Sequence, residues 1–311
     1  MKVLVYIESD GGVIKKSSLE ALTVAASLGE VVGVVLDEVT NAADAGKYGA
    51  SKVLTVSGLN GGSSEDVGNA LAELSSIESA DVIVMAHSSV SEGASGRLGV
   101  KLNASVATNV IGLPDTSSGF KVKRGVYTGK AFLMVDLPKA KKVLTIKKNS
   151  VELSGTGNEA PVEAVSLEVT SDIRIAVKEV MKQKGDVLLP EADLVVSAGR
   201  GLKGPENWGM IEELAKTLGA ATACSKPVSD ADWRPHHEHV GQTGIKVSPN
   251  LYIAVGISGA IQHLAGVSSS KVIVVINTDA EAPFFKAADY GILGDAFDVI
   301  PKLNDALKNA L

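Results

Sequence analysis

Leu251-Tyr252-Ile253-Ala254-Val255, then Gly256-Ile257-Ser258-Gly259, then Ala260-Ile261-Gln262-His263-Leu264-Ala265-Gly266 decide the fold of this chain. Five apolar residues make a buried strand, the glycines a turn, and the remainder a short helix. Ser258 has the chemistry of an N-cap, because its hydroxyl can accept a first-turn N–H. Gly266 stands where such a helix would stop. Gly256 and Gly259 let another group come close to the backbone. A pure β run, Lys271-Val272-Ile273-Val274-Val275-Ile276-Asn277, follows. Just upstream, Val240-Gly241-Gln242-Thr243-Gly244 closes a polar stretch. Strand, glycine turn and helix N-terminus together form a place to hold an anion or an electron-rich group.

The whole chain bounds what that group can be. At 311 residues and 45% hydrophobic content, two domains can each bury a core. No apolar run approaches the ~20 residues that span a bilayer, so no membrane insertion is expected. The chain opens on a strand, Val3–Ile7, with no leader pattern before it, which makes the cytoplasm the expected location. Cys224 is the single cysteine, so neither an intrachain disulfide nor a Cys-rich metal site is expected. A net charge of −6 and 4% aromatics argue against binding nucleic acid.

Outward from the opening stretch, the pattern is strand alternating with helix. Short β-branched runs stand at Val3–Ile7, Val31–Leu36, Val53–Val56 and Val82–Met85. Ser17 and Glu20 have capping-box spacing before a helix of small residues that Gly29 ends. Val67, Ala70, Leu71 and Leu74 recur at helical spacing. Near-continuous apolar strands separated by helices mean a parallel sheet covered on both faces. Lys130–Asp136 and Val143–Ile146 alternate less cleanly and read as an antiparallel addition at one edge. Lys139, Lys141, Lys142, Lys147 and Lys148 read as a solvated face, with partner docking as the alternative. The region from the Ser/Gly/Thr/Asn-rich stretch Asn149–Pro161 to Pro190 reads as the passage between domains, with a helix near Ile173–Lys184 along the way. The fold expected is α/β: two domains, residues 1–188 and 189–311, each with a mainly parallel sheet flanked by helices, the second Rossmann-like.

In that second domain a strand, Asp193–Ser197, leads into Gly199-Arg200-Gly201-Leu202-Lys203-Gly204. A helix carrying Trp208, Ile211, Leu214, Ala215 and Leu218 on one side follows, closed by Gly219. The loop fits GxGxxG in the right context. A nicotinamide site also wants an acid after the next strand, but Cys224-Ser225-Lys226 stands there. Arg200 and Lys226 point to a phosphate or another anion, and a purely structural tight turn is the alternative. Ser258 resembles a nucleophile elbow, but the second glycine comes one residue too early for GxSxG. His263, on the same short helix, is badly placed as its base. His263 reads as a packing residue or as a donor to a ligand oxygen. His236, His237 and His239 flank Glu238 and read as a solvated loop, with metal binding as the minor alternative. Cys224 reads as a buried small residue. The closing helix is expected over Lys302–Leu311.

These motifs resemble the α subunit of electron-transfer flavoproteins. The resemblance rests on Gly199–Lys203, Val240–Gly244, Leu251–Gly266, Ile276-Asn277, Glu281–Pro283 and Ala288–Gly291, and it runs through about the last 120 residues. It implies one FAD in the C-terminal domain. It also implies a heterodimer with an AMP-bearing β subunit, acyl-CoA or other dehydrogenases as donors, and a quinone reductase or similar acceptor. The implied FAD contacts are Arg200, Ser225, Lys226, Val240, Gly241, Gln242, Thr243, Ser258, Gly259, Ala260, Ile261, Gln262, His263, Asn277, Asp295 and Ala296. In the family the residue matching Thr243 hydrogen-bonds flavin N5. The one matching His263 faces the C2 oxygen, and those matching Asn277 and Asp295 lie toward ribose and adenine. Lys226 stands where the family usually has Arg, which keeps the charge and loses the planar fork. The resemblance implies an electron carrier and no catalyst. The alternative is a nicotinamide- or flavin-dependent oxidoreductase with its own substrate.

Overall fold

Val3, Val5 and Ile7 of the first strand pack into one apolar cluster, and Leu4 and Tyr6 into another. A strand that is apolar on both faces needs cover on both, which a parallel sheet with crossover helices supplies. The computed structural model describes residues 1–59, 62–127, 131–155, 157–167 and 188–310, and it contains that arrangement twice. The described residues form two compact units, one built on residues 1–126 and 131–167 and the other on residues 127 and 188–310.

The first unit runs β1 (Lys2–Tyr6), a small hairpin of β2 (Ser9–Asp10) and β3 (Val13–Ile14), α1 (Lys16–Ala26), β4 (Glu30–Val35), β5 (Ala50–Val56), α2 (Ser64–Ile77), β6 (Val82–Ala86), α3 (Ser89–Lys101), β7 (Ser105–Asp115), β8 (Lys121–Val126), β9 (Ala131–Asp136), β10 (Lys142–Ile146) and β11 (Val162–Val165). Its large sheet has the order β11-β5-β4-β1-β6-β10-β7-β8-β9. Every pairing from β11 to β7 is parallel, and β8 and β9 join antiparallel. Helix α2 starts as its sequence dictates. The Ser63 hydroxyl accepts from the Asp66 N–H, two acids occupy the first turn, and Val67, Ala70, Leu71 and Leu74 are buried.

Several expectations for this unit fail. Ser17 and Glu20 make no capping box: Lys15 is the N-cap, without a side-chain bond, and both residues are buried inside α1. The described first part of the expected passage, residues 149–155 and 157–161, belongs instead to the first unit. The Val53 N–H donates to the Pro161 carbonyl and the Ala160 N–H to that of Ala43, which leads the chain into β11 at the sheet edge. Residues 131–136 do form an antiparallel edge strand, but Val143–Ile146 belongs to β10, parallel and interior between β6 and β7. The lysine run is divided by β10. Lys139, Lys141 and Lys142 lie at its start, with Lys141 donating to the Ala80 carbonyl and the Ser75 hydroxyl. Lys147 follows its end, where burial lowers its pKa. Helix α3 escapes periodicity because glycine takes the place of a stripe, and Gly93 and Gly68 let α2 and α3 meet closely. The helix expected near Ile173–Lys184 lies outside the described residues.

The second unit runs β12 (Leu194–Ala198), α4 (Gly209–Leu218), β13 (Ala221–Cys224), α5 (Lys226–Ser229), β14 (Leu251–Val255), α6 (Ile261–Val267), β15 (Val272–Asn277), β16 (Tyr290–Leu293) and α7 (Ala296–Ala310). All five strands are parallel in the order β13-β12-β14-β15-β16. Val195, Tyr252, Ala254 and Val275 pack on one face, and Val196, Ile253, Val255 and Ile276 on the other. Helix α4 buries Ile211, Leu214 and Ala215, and Gly219 ends it in the left-handed conformation. Helix α7 begins at Ala296, six positions before the expected start at Lys302, and it carries Pro301 in its interior. Proline argues against a helix interior from sequence alone. Here Ala296 and Ile300 are buried in the core on the proline's N-terminal side and hold that turn.

Candidate functional site

The sheet order of the second unit reverses between β12 and β14. Ligands of open α/β sheets bind at the carboxyl ends of strands, at such a switch point. There Gly199, Gly201 and Gly256 meet backbone to backbone. A Cβ on Gly201 would stand 2.6 Å from the Gly256 Cα, and a Cβ on Gly199 would collide with the Gly256 carbonyl. Gly256 has φ of 59°, and its carbonyl accepts from the Gly201 N–H. Gly199 and Gly201 of the GxGxxG stretch therefore serve strand packing, while Gly204 makes room for the Glu206 carboxylate. A 3-10 turn, Arg200–Leu202, follows Gly199, and the next α-helix does not begin until Gly209. The structural reading of that motif holds for its glycines, and Arg200 alone faces outward to the site.

Above this floor lies a cavity of about 530 Å³, inside the range of roughly 300–1,000 Å³ usual for ligand sites. Arg200 reaches it from the end of β12, and Ser225 and Lys226 from the end of β13. Val240 to Thr243 line it from the loop before β14, and Ser258, Ala260, Gln262 and His263 from the turn after it. Asn277 closes it at the end of β15, where its amide donates to the Ile257 carbonyl and accepts from the Asp279 N–H. Twelve of the sixteen expected contacts thus meet in one cavity. Gly259, Ile261, Asp295 and Ala296 do not line it. Gly259 packs against Phe284, Ile261 is 75% exposed, Asp295 accepts from the Phe297 N–H at the start of α7, and Ala296 is core.

Two details of the opening stretch are corrected. Ser258 is exposed and caps nothing: the N-cap of α6 is Ala260, and the Ser258 carbonyl accepts from the Phe284 N–H. Gly266 is no stop either. Helix α6 runs on to Val267, and Gly266 lets it touch the upstream loop, since a Cβ there would stand 2.6 Å from the Gly241 Cα. The Gln242 N–H donates to the Gln262 carbonyl at 2.7 Å and ties the same two segments.

The electrostatics are mixed. Arg200 and Lys226 bring positive charge, and Asp230 and Asp279 bring negative charge that no motif places here. His263 is 6% exposed. Burial first, then the neighbouring His239, push its pKa down to about 4 against a small opposing effect of the Val240 backbone, so it is neutral at pH 7. Its Nε2 lies 2.9 Å from the Tyr252 hydroxyl, while its buried Nδ1 makes no well-formed hydrogen bond, the ring's other polar contact being a weak one to the Val240 backbone. His239, expected in a solvated loop, is instead buried on the cavity wall. Burial again lowers its pKa, Asp230 opposes, and Lys226 adds to the lowering. Exposed His236 and His237 keep the loop reading, and Glu238 turns to Arg234. No group of metal-ligating side chains occurs among the described residues. Cys224 is buried with its thiol pKa pushed up to about 12, which suits a packing role.

A doubly wound parallel sheet with a cavity at its switch point, lined by Arg200 and Lys226 and by a buried imidazole, defines a cofactor-binding protein of the Rossmann-like class. The model of the electron transfer flavoprotein FAD-binding domain matches residues 188–268, and that of the electron transfer flavoprotein domain residues 3–171. Electron transfer flavoprotein subunit alpha of Bacillus subtilis is 37% identical over 99% of this chain and 97% of its own length. The protein of the same name from Syntrophomonas wolfei is 38% identical over 98% of each chain, and that from Paracoccus denitrificans 43% over 68% of each. The chain belongs to the electron transfer flavoprotein family, as an α subunit whose second unit is the FAD-binding domain. No helix among the described residues is long and apolar enough to cross a membrane.

The site fits that cofactor. FAD carries anionic phosphates for Arg200 and Lys226, polar ring edges for a buried donor, and an apolar ring body for Ile257 and Val240. A buried polar nitrogen left without a well-formed hydrogen bond costs about 1–3 kcal/mol, so a ligand that meets it restores that much.

Proposed function

We propose that this chain is the FAD-bearing half of a two-subunit electron carrier, and that it turns over no substrate of its own. FAD, when bound, supplies the redox chemistry; the protein supplies binding, orientation and electrostatics. The proposed contacts are Arg200, Ser225 and Lys226, Val240–Thr243, Ser258–His263, Asn277, Asp295 and Ala296. Arg200 and Lys226 offer charge to an anionic cofactor, and the loop carrying Gln242 and Thr243 holds one side of it. His263, neutral and sealed from water, offers a hydrogen bond in a low-dielectric wall, where such a bond is strong. That buried His263 nitrogen carries the reading.

Residues 1–188 would form a first domain that packs on an AMP-bearing β subunit, and 189–311 the FAD domain. Acyl-CoA or other dehydrogenases would reduce the pair in the cytoplasm, and a quinone reductase or similar acceptor would oxidise it. The test is to co-purify the chain with the subunit encoded beside it and offer reductants. A yellow heterodimer that bleaches only with a dehydrogenase and its substrate supports the carrier. Bleaching by NADH alone sinks it and favours an oxidoreductase.

A further inference from the structure

We propose that Tyr252 is a positioning residue for His263: its hydroxyl donates to Nε2, so the imidazole is held with its proton on Nδ1. Tyr252 lies on β14 with no exposed surface, on the strand whose following turn lines the cavity. Its oxygen stands 2.9 Å from His263 Nε2. Neither ring is free to turn, because Phe284 stacks on Tyr252 at 6.3 Å and meets His263 edge-on at 5.7 Å. Phe284 is itself fully buried and seated against Gly259.

The proton inventory gives the direction. A neutral imidazole has one N–H and one lone pair. Burial keeps the Tyr252 phenol protonated, so it has one proton to give. The Ser197 hydroxyl on β12, with no exposed surface, lies near the phenol but makes no hydrogen bond, so His263 Nε2 is the partner the phenol has. With Nε2 as its hydrogen-bond partner, the phenol directs its proton there, since the reverse bond would leave both the phenol proton and the Nδ1 lone pair unmatched, and Nδ1 keeps the imidazole proton. The opposite tautomer would leave a bare lone pair at Nδ1, the nitrogen without a well-formed partner in the protein. A partner on one ring nitrogen fixes the state of the other, as in metal sites and catalytic triads. Tyr252 and His263 thus form a buried pair whose outcome is a donor at Nδ1. Only the last step, that this donor serves FAD, rests on the cavity reading above.

The test uses the full chain with nitrogen-15 in its histidines. In wild type, the His263 ring should show a protonated Nδ1 and an unprotonated Nε2, with or without FAD. In Tyr252→Phe, which keeps the ring and removes the hydroxyl, the two tautomers should mix. FAD should then bind about fivefold more weakly, the equivalent of one ordinary hydrogen bond. A proton on Nε2 in wild type overturns the proposal without any variant, and so do tautomer populations unchanged in Tyr252→Phe. A tautomer shift with unaltered FAD affinity supports the positioning role and overturns the assignment of His263 to FAD.

Discussion

Replacing His263 with glutamine should make the second unit less sensitive to mild acid. The folded chain holds this imidazole's pKa at about 4, against ~6.5 when unfolded. Because the folded value is the lower one, acid protonates the unfolded chain first. The neutral imidazole's contribution to stability is therefore complete above about pH 6.5 and drains away as pH falls toward 4. The full gap is worth ~3 kcal/mol, of which ~2 kcal/mol is gone by about pH 5. The fluorophores suit the assay, since both tryptophans, Trp208 and Trp233, lie in the second unit. Urea unfolding of the FAD-free chain, followed by tryptophan emission at neutral pH and at about pH 5, gives the loss for each protein. His239 and the carboxylates titrate in both, so the difference between the two losses isolates His263. Glutamine should lower stability at neutral pH through poorer packing, yet lose ~2 kcal/mol less on acidification than wild type. Equal losses would refute a buried, neutral His263.

Two further substitutions probe the rim and the helix contact. Lys226→Gln removes an exposed charge from the cavity mouth, which at high dielectric is worth about 1 kcal/mol. Reductive titration should then find the flavin harder to reduce by ~20 mV for the two-electron couple, and an unmoved potential would place the ammonium out of range. Gly266→Ala puts a methyl 2.6 Å from the Gly241 Cα, against backbone that cannot swing aside. It should cost about 1–3 kcal/mol in urea unfolding and weaken FAD binding, because the displaced loop carries Gln242 and Thr243.

What the sequence made legible follows its periodicities. Val3–Ile7, Val82–Met85 and Leu251–Val255 are apolar throughout, and only a strand buried on both faces explains that. Helix α2 shows because Val67, Ala70, Leu71 and Leu74 repeat at 3.6 residues. Helix α3 stayed hidden because Gly93, Gly96 and Gly99 dilute its pattern, and Gly93 lets it fit against α2 and Gly99 against Val106 of β7. Ser17 and Glu20 misled because a local motif was read without knowing where the chain turns; the hairpin of β2 and β3 shifts the helix start to Lys16. At the site, Arg200, Lys226 and Gln242 were legible as motif residues. His239 was not, because nothing local separates a buried histidine from its exposed neighbours His236 and His237. Its burial comes from contacts across the loop, where its ring fills the space beside Gly241 and Gly244. Asp230 and Asp279 were missed for the same reason, since only the strand order brings them to the cavity.

The glycine contact beneath the cavity divides the site into two kinds of position. A side chain at residue 199, 201 or 256 would have to part β12 from β14, so the floor admits no graded change. Lys226, Gln242, Thr243 and Ser258 are exposed at the rim and touch no such constraint. The protein can thus adjust how tightly and at what potential it holds a flavin by altering rim side chains alone, while the framework that fixes where the flavin lies stays out of reach of single substitutions. An engineer wishing to retune the carrier has a short set of residues to work with, and the positions that look most like a nucleotide-binding signature are the ones to leave alone.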